Sequence, residues 1–114
     1  MKISDERVLK QFLDTGVLAT MRNYHYKVGQ EVRIKYNGKT IAKGFIVGVF
    51  ANRIAFRKAF LKYSGFNTIE EWEKKAKEIC GRMPDYIIIV FKVDVDLECM
   101  DINFPFRKAI EIEV

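Results

Sequence analysis

The chain has 114 residues, 49% of them hydrophobic, with nine phenylalanines and a formal net charge of +5. That length is expected to form one domain, 1–114, with a core large enough to need neither disulfides nor a metal. The charge falls short of a dedicated nucleic-acid-binding tail but has the right sign for an anionic partner. Cys80 and Cys99 stand too far apart for a C-x-x-C metal or redox motif, and no cofactor is expected. No secretory signal is read ahead of the first element, so a reduced, cytoplasmic setting is expected. The longest apolar run, Tyr86 to Phe91, suits a strand and is far short of the roughly 20 residues that span a bilayer. The wealth of Ile, Lys and Glu with little Gln leans toward a heat-adapted host.

In chain order, Ser4-Asp5-Glu6 offers a helix cap, and Val8, Leu9, Phe12 and Leu13 repeat at helical spacing until Gly16 stops the helix. Residues 17–22 read as a short strand, and 23–27 as a loop closing at Gly29. Val32, Ile34 and Tyr36 alternate with charges, and Asn37-Gly38 is a two-residue turn into a strand over 39–50. Gly44 and Gly48 within that strand predict a bulge or sharp coiling. A short basic helix follows, with Ile54, Ala55, Ala59, Phe60 and Leu61 inward and Arg53, Arg57, Lys58 and Lys62 outward. The next helix starts with either Asn67 and Glu70 or Thr68 and Glu71 in capping-box register, and buries Ile69, Trp72, Ala76 and Ile79. Gly81 and Pro84 end it, residues 86–95 read as a buried central strand, and 110–114 as a final strand. The order is α+β, and a small glycine-bent sheet is expected to close as a barrel.

Leu18-Ala19-Thr20-Met21-Arg22 is the chemically suggestive stretch. In a strand Thr20 and Arg22 share a face, which then offers a hydroxyl and a guanidinium to a polar or anionic ligand. Arg22 suits a phosphate or a base edge, the alternative being an ion pair with Glu31 or Glu70. Tyr24, His25 and Tyr26 either stack bases or pack on the sheet. His25 is the only histidine, so neither a multi-histidine zinc site nor a Ser-His-Asp relay has a second one to build on. Arg57 and Lys58 belong to one basic helix face and Lys74, Lys75, Lys77 and Arg82 to another; such faces are commonly just solvated. The acids Asp94, Asp96, Glu98 and Asp101 read as an exposed strand face rather than a calcium loop.

Gly16, Thr20-Met21-Arg22, Lys27-Val28-Gly29-Gln30-Glu31-Val32 and Ser64-Gly65-Phe66-Asn67-Thr68-Ile69-Glu70-Glu71-Trp72, in that order and spacing, resemble an ASCH domain of the PUA-like superfamily. The resemblance spans about residues 5–95 and rests on a T-x-R element, a V-G-x-x-V turn and a G-F-x-[ST]-x-x-E helix start. It implies a small β-barrel with flanking helices, a cleft beside the T-x-R strand, and an association with RNA. Some small bacterial members of the family are amide hydrolases acting on acylated cytidine, through a lysine, the motif threonine and a glutamate. Here the threonine is Thr20, the lysine position holds Val17 and the glutamate position falls at about Ser64. Thr20, the candidate nucleophile, therefore lacks its base, and whether the chain is an enzyme stays open.

The function expected from these residues is binding of RNA, or of a nucleotide within it, in a basic cleft. Arg22 would hold a phosphate or base edge, Thr20, Asn23 and Ser64 would line the site, Tyr24 and Tyr26 would stack, and Arg57 and Lys58 would meet backbone phosphates. The alternative is a hydrolase on the same cleft, for which Lys58 and Glu31 or Glu70 are the groups available to activate Thr20, or a ribonuclease, in which Lys58 and Arg22 would stabilise the phosphorane while Tyr24 or His25 moved a proton.

Overall fold

A computed structural model describes residues 1–93. The predicted final strand over 110–114, the acidic run, Cys99 and the Phe104-Pro105-Phe106 turn lie outside the described residues. The elements are α1 (Glu6–Thr15), β1 (Val17–Arg22), β2 (Glu31–Tyr36), β3 (Lys39–Ala51), α2 (Ile54–Phe60), a single 3₁₀ turn (Leu61–Tyr63), α3 (Ile69–Cys80) and β4 (Tyr86–Val93). Among the described residues no helix is long and apolar enough to cross a membrane.

Local chemistry sets these boundaries. Asp5, not Ser4, caps α1 by accepting the Arg7 N–H at 2.9 Å, and Gly16 ends the helix at φ +76°. Thr68, not Asn67, caps α3, its Oγ1 accepting the Glu71 N–H at 3.2 Å. Asn37 and Gly38 both take positive φ, as a two-residue hairpin turn requires. In β3 the register slips between Ile46 and Gly48, where one residue more than β4 can match is accommodated as a bulge.

The four strands form one antiparallel sheet in the order β1-β4-β3-β2. Side-chain alternation divides it into two cores. On one face Leu18, Ile88, Val90, Ile34 and Ile46 pack with Ile3 and with Phe12 of α1. On the other Ala19, Met21, Ile87 and Ile89 pack with Phe66 and with Trp72 and Ala76 of α3. β4 is apolar on both faces because it lies between β1 and β3 and beneath helices on each side.

The expected closed barrel is corrected by this topology: the sheet is open, with β1 and β2 at opposite edges. Four strands supply too little wall, and the first core is completed by the side chains of Ile3 and Phe12 instead of by another strand. Residues 1–3 lie along the β2 edge, with the Ile3 N–H donating to the Lys35 carbonyl and the Lys35 N–H to the Met1 carbonyl, both at 2.8 Å. Among the described residues the edge of β1 gains no strand.

Two further expectations are corrected. In α2 it is Phe56 and Phe60 that turn toward Phe50 of β3, with ring centroids 5.1 and 5.0 Å away, while Ala55 and Ala59 are exposed. Seven residues give the helix too few turns to bury a stripe, and the large rings win the contact. Ile79, expected in the core, is 60% exposed and lies at the border of an opening instead.

The turn joining α2 to α3 is pinned against α1. Gly65 has φ +88°, and a Cβ there would come within 2.6 Å of the Val8 Cα. Arg7 completes the contact, with its guanidinium 5.0 Å from the Phe66 ring centroid and 3.1 Å from Glu71 Oε2. Gly65→Ala is therefore expected to lower stability by about 2 kcal/mol or more in chemical denaturation. Gly81→Ala, also at positive φ but with nothing within 4 Å, should lose only about 1 kcal/mol.

Candidate functional site

A cleft of about 260 Å³ runs along the outer edge of β1. Ala19, Thr20, Met21 and Arg22 form its floor, residues 2–5 and Val8 one wall, and Trp72, Lys75, Ala76, Ile79 and Cys80 of α3 the other, with Ser64 and Phe66 at its end. Consecutive β1 residues can all border it because no other strand pairs with that side among the described residues, so residues from both sheet faces line the same opening.

Arg22 sits there part-buried. Its Nε donates to Thr20 Oγ1 at 3.1 Å and its Nη2 to the Lys2 carbonyl at 2.7 Å. Among the described residues no carboxylate lies within ion-pair distance of it, so neither Glu31 nor Glu70 is its partner. Burial pushes the guanidinium pKa below its ordinary value, and the ionised forms of Tyr26 and Cys80 lie near enough to oppose that shift. The two bonds Arg22 makes are to neutral oxygens, which leaves its charge without a counter-charge among the described residues of a partly desolvated site.

The structure gathers Thr20, Arg22 and Ser64 at this cleft. The Ser64 hydroxyl is already engaged, donating to the Leu61 carbonyl at 2.7 Å and accepting the Phe66 N–H at 3.1 Å. Asn23 follows β1 and accepts the Asp85 N–H at 3.3 Å. Tyr24 is 65% exposed and meets Tyr26 edge-to-face at 4.9 Å, while His25 meets Tyr86 at 5.0 Å. Arg57 and Lys58 do not line the cleft. Arg57 is a structural group: Nη1 donates to the Asn52 carbonyl and side chain at 3.1 and 2.8 Å, and Nε lies 3.1 Å from Glu73 Oε2 in an ion pair that falls short of hydrogen-bond geometry. Lys58 is exposed on α2.

For a hydrolase the arrangement is sparse. Lys58, Glu31 and Glu70 all lie outside the cleft lining, and the Thr20 hydroxyl accepts from a guanidinium, which is no base. Asp5, the carboxylate that does line the cleft, is held by Arg7, whose side-chain hydrogen bonds keep its pKa below the usual carboxylate value.

Sequence reasoning missed Lys2 and Lys75 at the cleft and the way Trp72 and Ile79 flank it. Lys75 follows Trp72 by three residues and precedes Ile79 by four, a spacing that puts all three on one side of a helix. The chain itself matches no family model, no curated protein and no solved structure.

Two outcomes follow from these contacts. Asp5 has a folded-state pKa below its unfolded value of 3.8, so its contribution is complete above that value and fades as pH falls through the lower, folded one. Asp5→Ala should cost about 1 kcal/mol at neutral pH and flatten the acid limb of a stability-against-pH curve. Arg57→Ala should cost about 2 kcal/mol in denaturant titration because it strands Glu73 and Asn52, whereas Arg22→Ala should stay within about 1 kcal/mol of wild type because it removes an uncompensated charge.

Proposed function

We propose that this chain binds RNA, or a nucleotide within RNA, in the cleft along β1. The observation that carries the reading is Arg22: a part-buried guanidinium lining a cleft and bonded, among the described residues, only to neutral oxygens is a standing attraction for an anionic group. Such a group is costly to keep unless a ligand supplies the missing charge. The cleft volume of about 260 Å³ lies just below the range of drug-sized sites and suits one nucleoside-sized group, with Trp72 and Phe66 among its walls.

The surroundings fit a nucleic-acid strand passing that group. Lys2 and Lys75 line the cleft and take the phosphate-facing part expected of Arg57 and Lys58, with Lys58 left to meet backbone farther along α2. Asn23 uses its side-chain carbonyl internally and keeps its amide N–H groups for a ligand. Tyr24, exposed and beside Tyr26, offers a ring to a neighbouring base. The resemblance to ASCH domains points the same way.

The reading is tested by fluorescence anisotropy of a short labelled single-stranded RNA at low and near-physiological salt. Wild type should bind in a strongly salt-dependent manner, Arg22→Ala should lose about tenfold or more, and Tyr24→Ala should lose about 1 kcal/mol or more. Salt-independent binding, or unchanged affinity in Arg22→Ala, would count against it. The RNA is checked for cleavage afterwards, because cleavage that Arg22→Ala abolishes would favour a ribonuclease.

A further inference from the structure

The cleft along β1 is blind at one end and exposed at the other, as three juxtapositions that follow one another along α3 show. At its start, Gly65 packs on α1 so closely that a Cβ there would come within 2.6 Å of the Val8 Cα, and Arg7 reaches Glu71 Oε2 at 3.1 Å while covering the Phe66 ring. The two walls therefore touch where Val8, Ser64 and Phe66 line the cleft, and a strand has no way through. One turn on, Lys75 stands opposite Asp5. Hydrogen bonds from Arg7 do most to lower the Asp5 pKa, and the Lys75 charge adds to them. At the end of α3, Cys80 lies close enough to Arg22 for its ionised form to offset part of the fall that burial imposes on the guanidinium. Glu71 and Cys80 are about 14 Å apart along the helix. The lining at this far end is exposed, at Lys2 and at Ile79. Charge divides the same way. In the inner half Asp5 is matched by Arg7 and Lys75 among apolar neighbours, whereas at the mouth Arg22 and Lys2 have no carboxylate within ion-pair distance among the described residues.

A nucleic-acid chain enters a blind cleft by its end. The volume of about 260 Å³ takes one nucleoside, so the phosphodiester that ties this nucleoside to the rest of the chain falls at the mouth, where the unmatched cations are. The group that goes in first must be uncharged, because a phosphate there would lose its water against apolar walls and meet the Asp5 carboxylate. A 3′ end carries hydroxyl groups, whereas a 5′ end made by transcription carries phosphates. Asp5 accepts three hydrogen bonds, all from Arg7, and a carboxylate has roughly four acceptor sites, so one remains for a hydroxyl. We infer that the cleft takes the 3′-terminal nucleoside of a single-stranded RNA, with its terminal hydroxyl toward Asp5 and its linking phosphodiester at Arg22 and Lys2. The inference rests on the nucleic-acid reading above and narrows it from a strand to the end of one.

The test displaces 5′-fluorescein-labelled hexauridylate from the intact protein with unlabelled hexauridylates that differ only at their ends. A 3′-phosphate should weaken competition by about tenfold or more, although it adds charge that a merely basic surface would welcome. A 5′-phosphate should leave competition unchanged or slightly improve it. Asp5→Asn keeps a good helix cap while removing the carboxylate charge, and should bring the 3′-hydroxyl and 3′-phosphate hexamers to within about threefold of each other. Equal competition by those two hexamers on the wild-type protein, a loss caused by the 5′-phosphate instead, or full discrimination kept by Asp5→Asn overturns recognition of the 3′ end. In each of those cases binding that is lost in Arg22→Ala still keeps the cleft reading. Absence of binding by every hexamer at low salt overturns both.

Discussion

The fold depends on β4 being able to bury both of its faces and both of its edges at once. Ile87, Ile88, Ile89 and Val90 lie at 7% exposure or less, and they alternate between the Phe12 core and the Trp72 core. Four consecutive β-branched residues favour an extended chain and leave no face that tolerates water. β1 and the β2–β3 hairpin come earlier in the chain, and neither sheet edge is tied to the rest until β4 is laid between them. The pairings of β4 with β1 and β3 are long-range, so their loop-closure entropy is met by burial of this one strand.

That arrangement also explains why there is a cleft. β4 occupies one edge of β1 and, among the described residues, the other has no partner strand, since the segment at residues 1–3 pairs with β2. α1 and α3 then stand on opposite faces of the sheet and overhang the same free edge. Val8 comes from one and Trp72, Lys75, Ala76 and Ile79 from the other. The overhang keeps the edge from pairing with another chain at random, which is how an exposed strand is usually made safe. The Gly65 contact with Val8 and the Arg7 contacts with Phe66 and Glu71 hold the two overhanging parts in register.

Arginines show the contrast between structure and site. Arg57 is satisfied by Asn52 and Glu73 and ties α2 to α3. Arg7 is exposed and pairs with Asp5 and Glu71, which raises its pKa. Arg22 is more buried than Arg7 yet among the described residues has only Thr20 and the Lys2 carbonyl, and its pKa moves the other way. A buried charge left without its opposite is a local violation of what a stable core requires, and such violations concentrate where a protein meets a ligand.

By itself the sequence determined the parts whose signals are local. The α1 stop at Gly16, the Asn37-Gly38 turn, a capped start to α3 at Asn67 or Thr68, a bulge or coiling of β3 near its glycines and the apolar β4 each follow from a few neighbouring residues and a backbone preference that tertiary contacts reinforce. It also put Thr20 and Arg22 on one face, because strand periodicity needs no knowledge of neighbours. Tertiary structure alone decided which strand edge stays free among the described residues, and so that the sheet is open and that a cleft runs along β1. It decided that Arg57, expected to meet backbone phosphates, pairs with Glu73, while Lys75, read as part of a solvated helix face, lines the opening. The reason is physical. Hydrophobic periodicity says which side of an element is buried but not against what, and a charge acquires its role only from the groups that packing brings within a few ångströms of it.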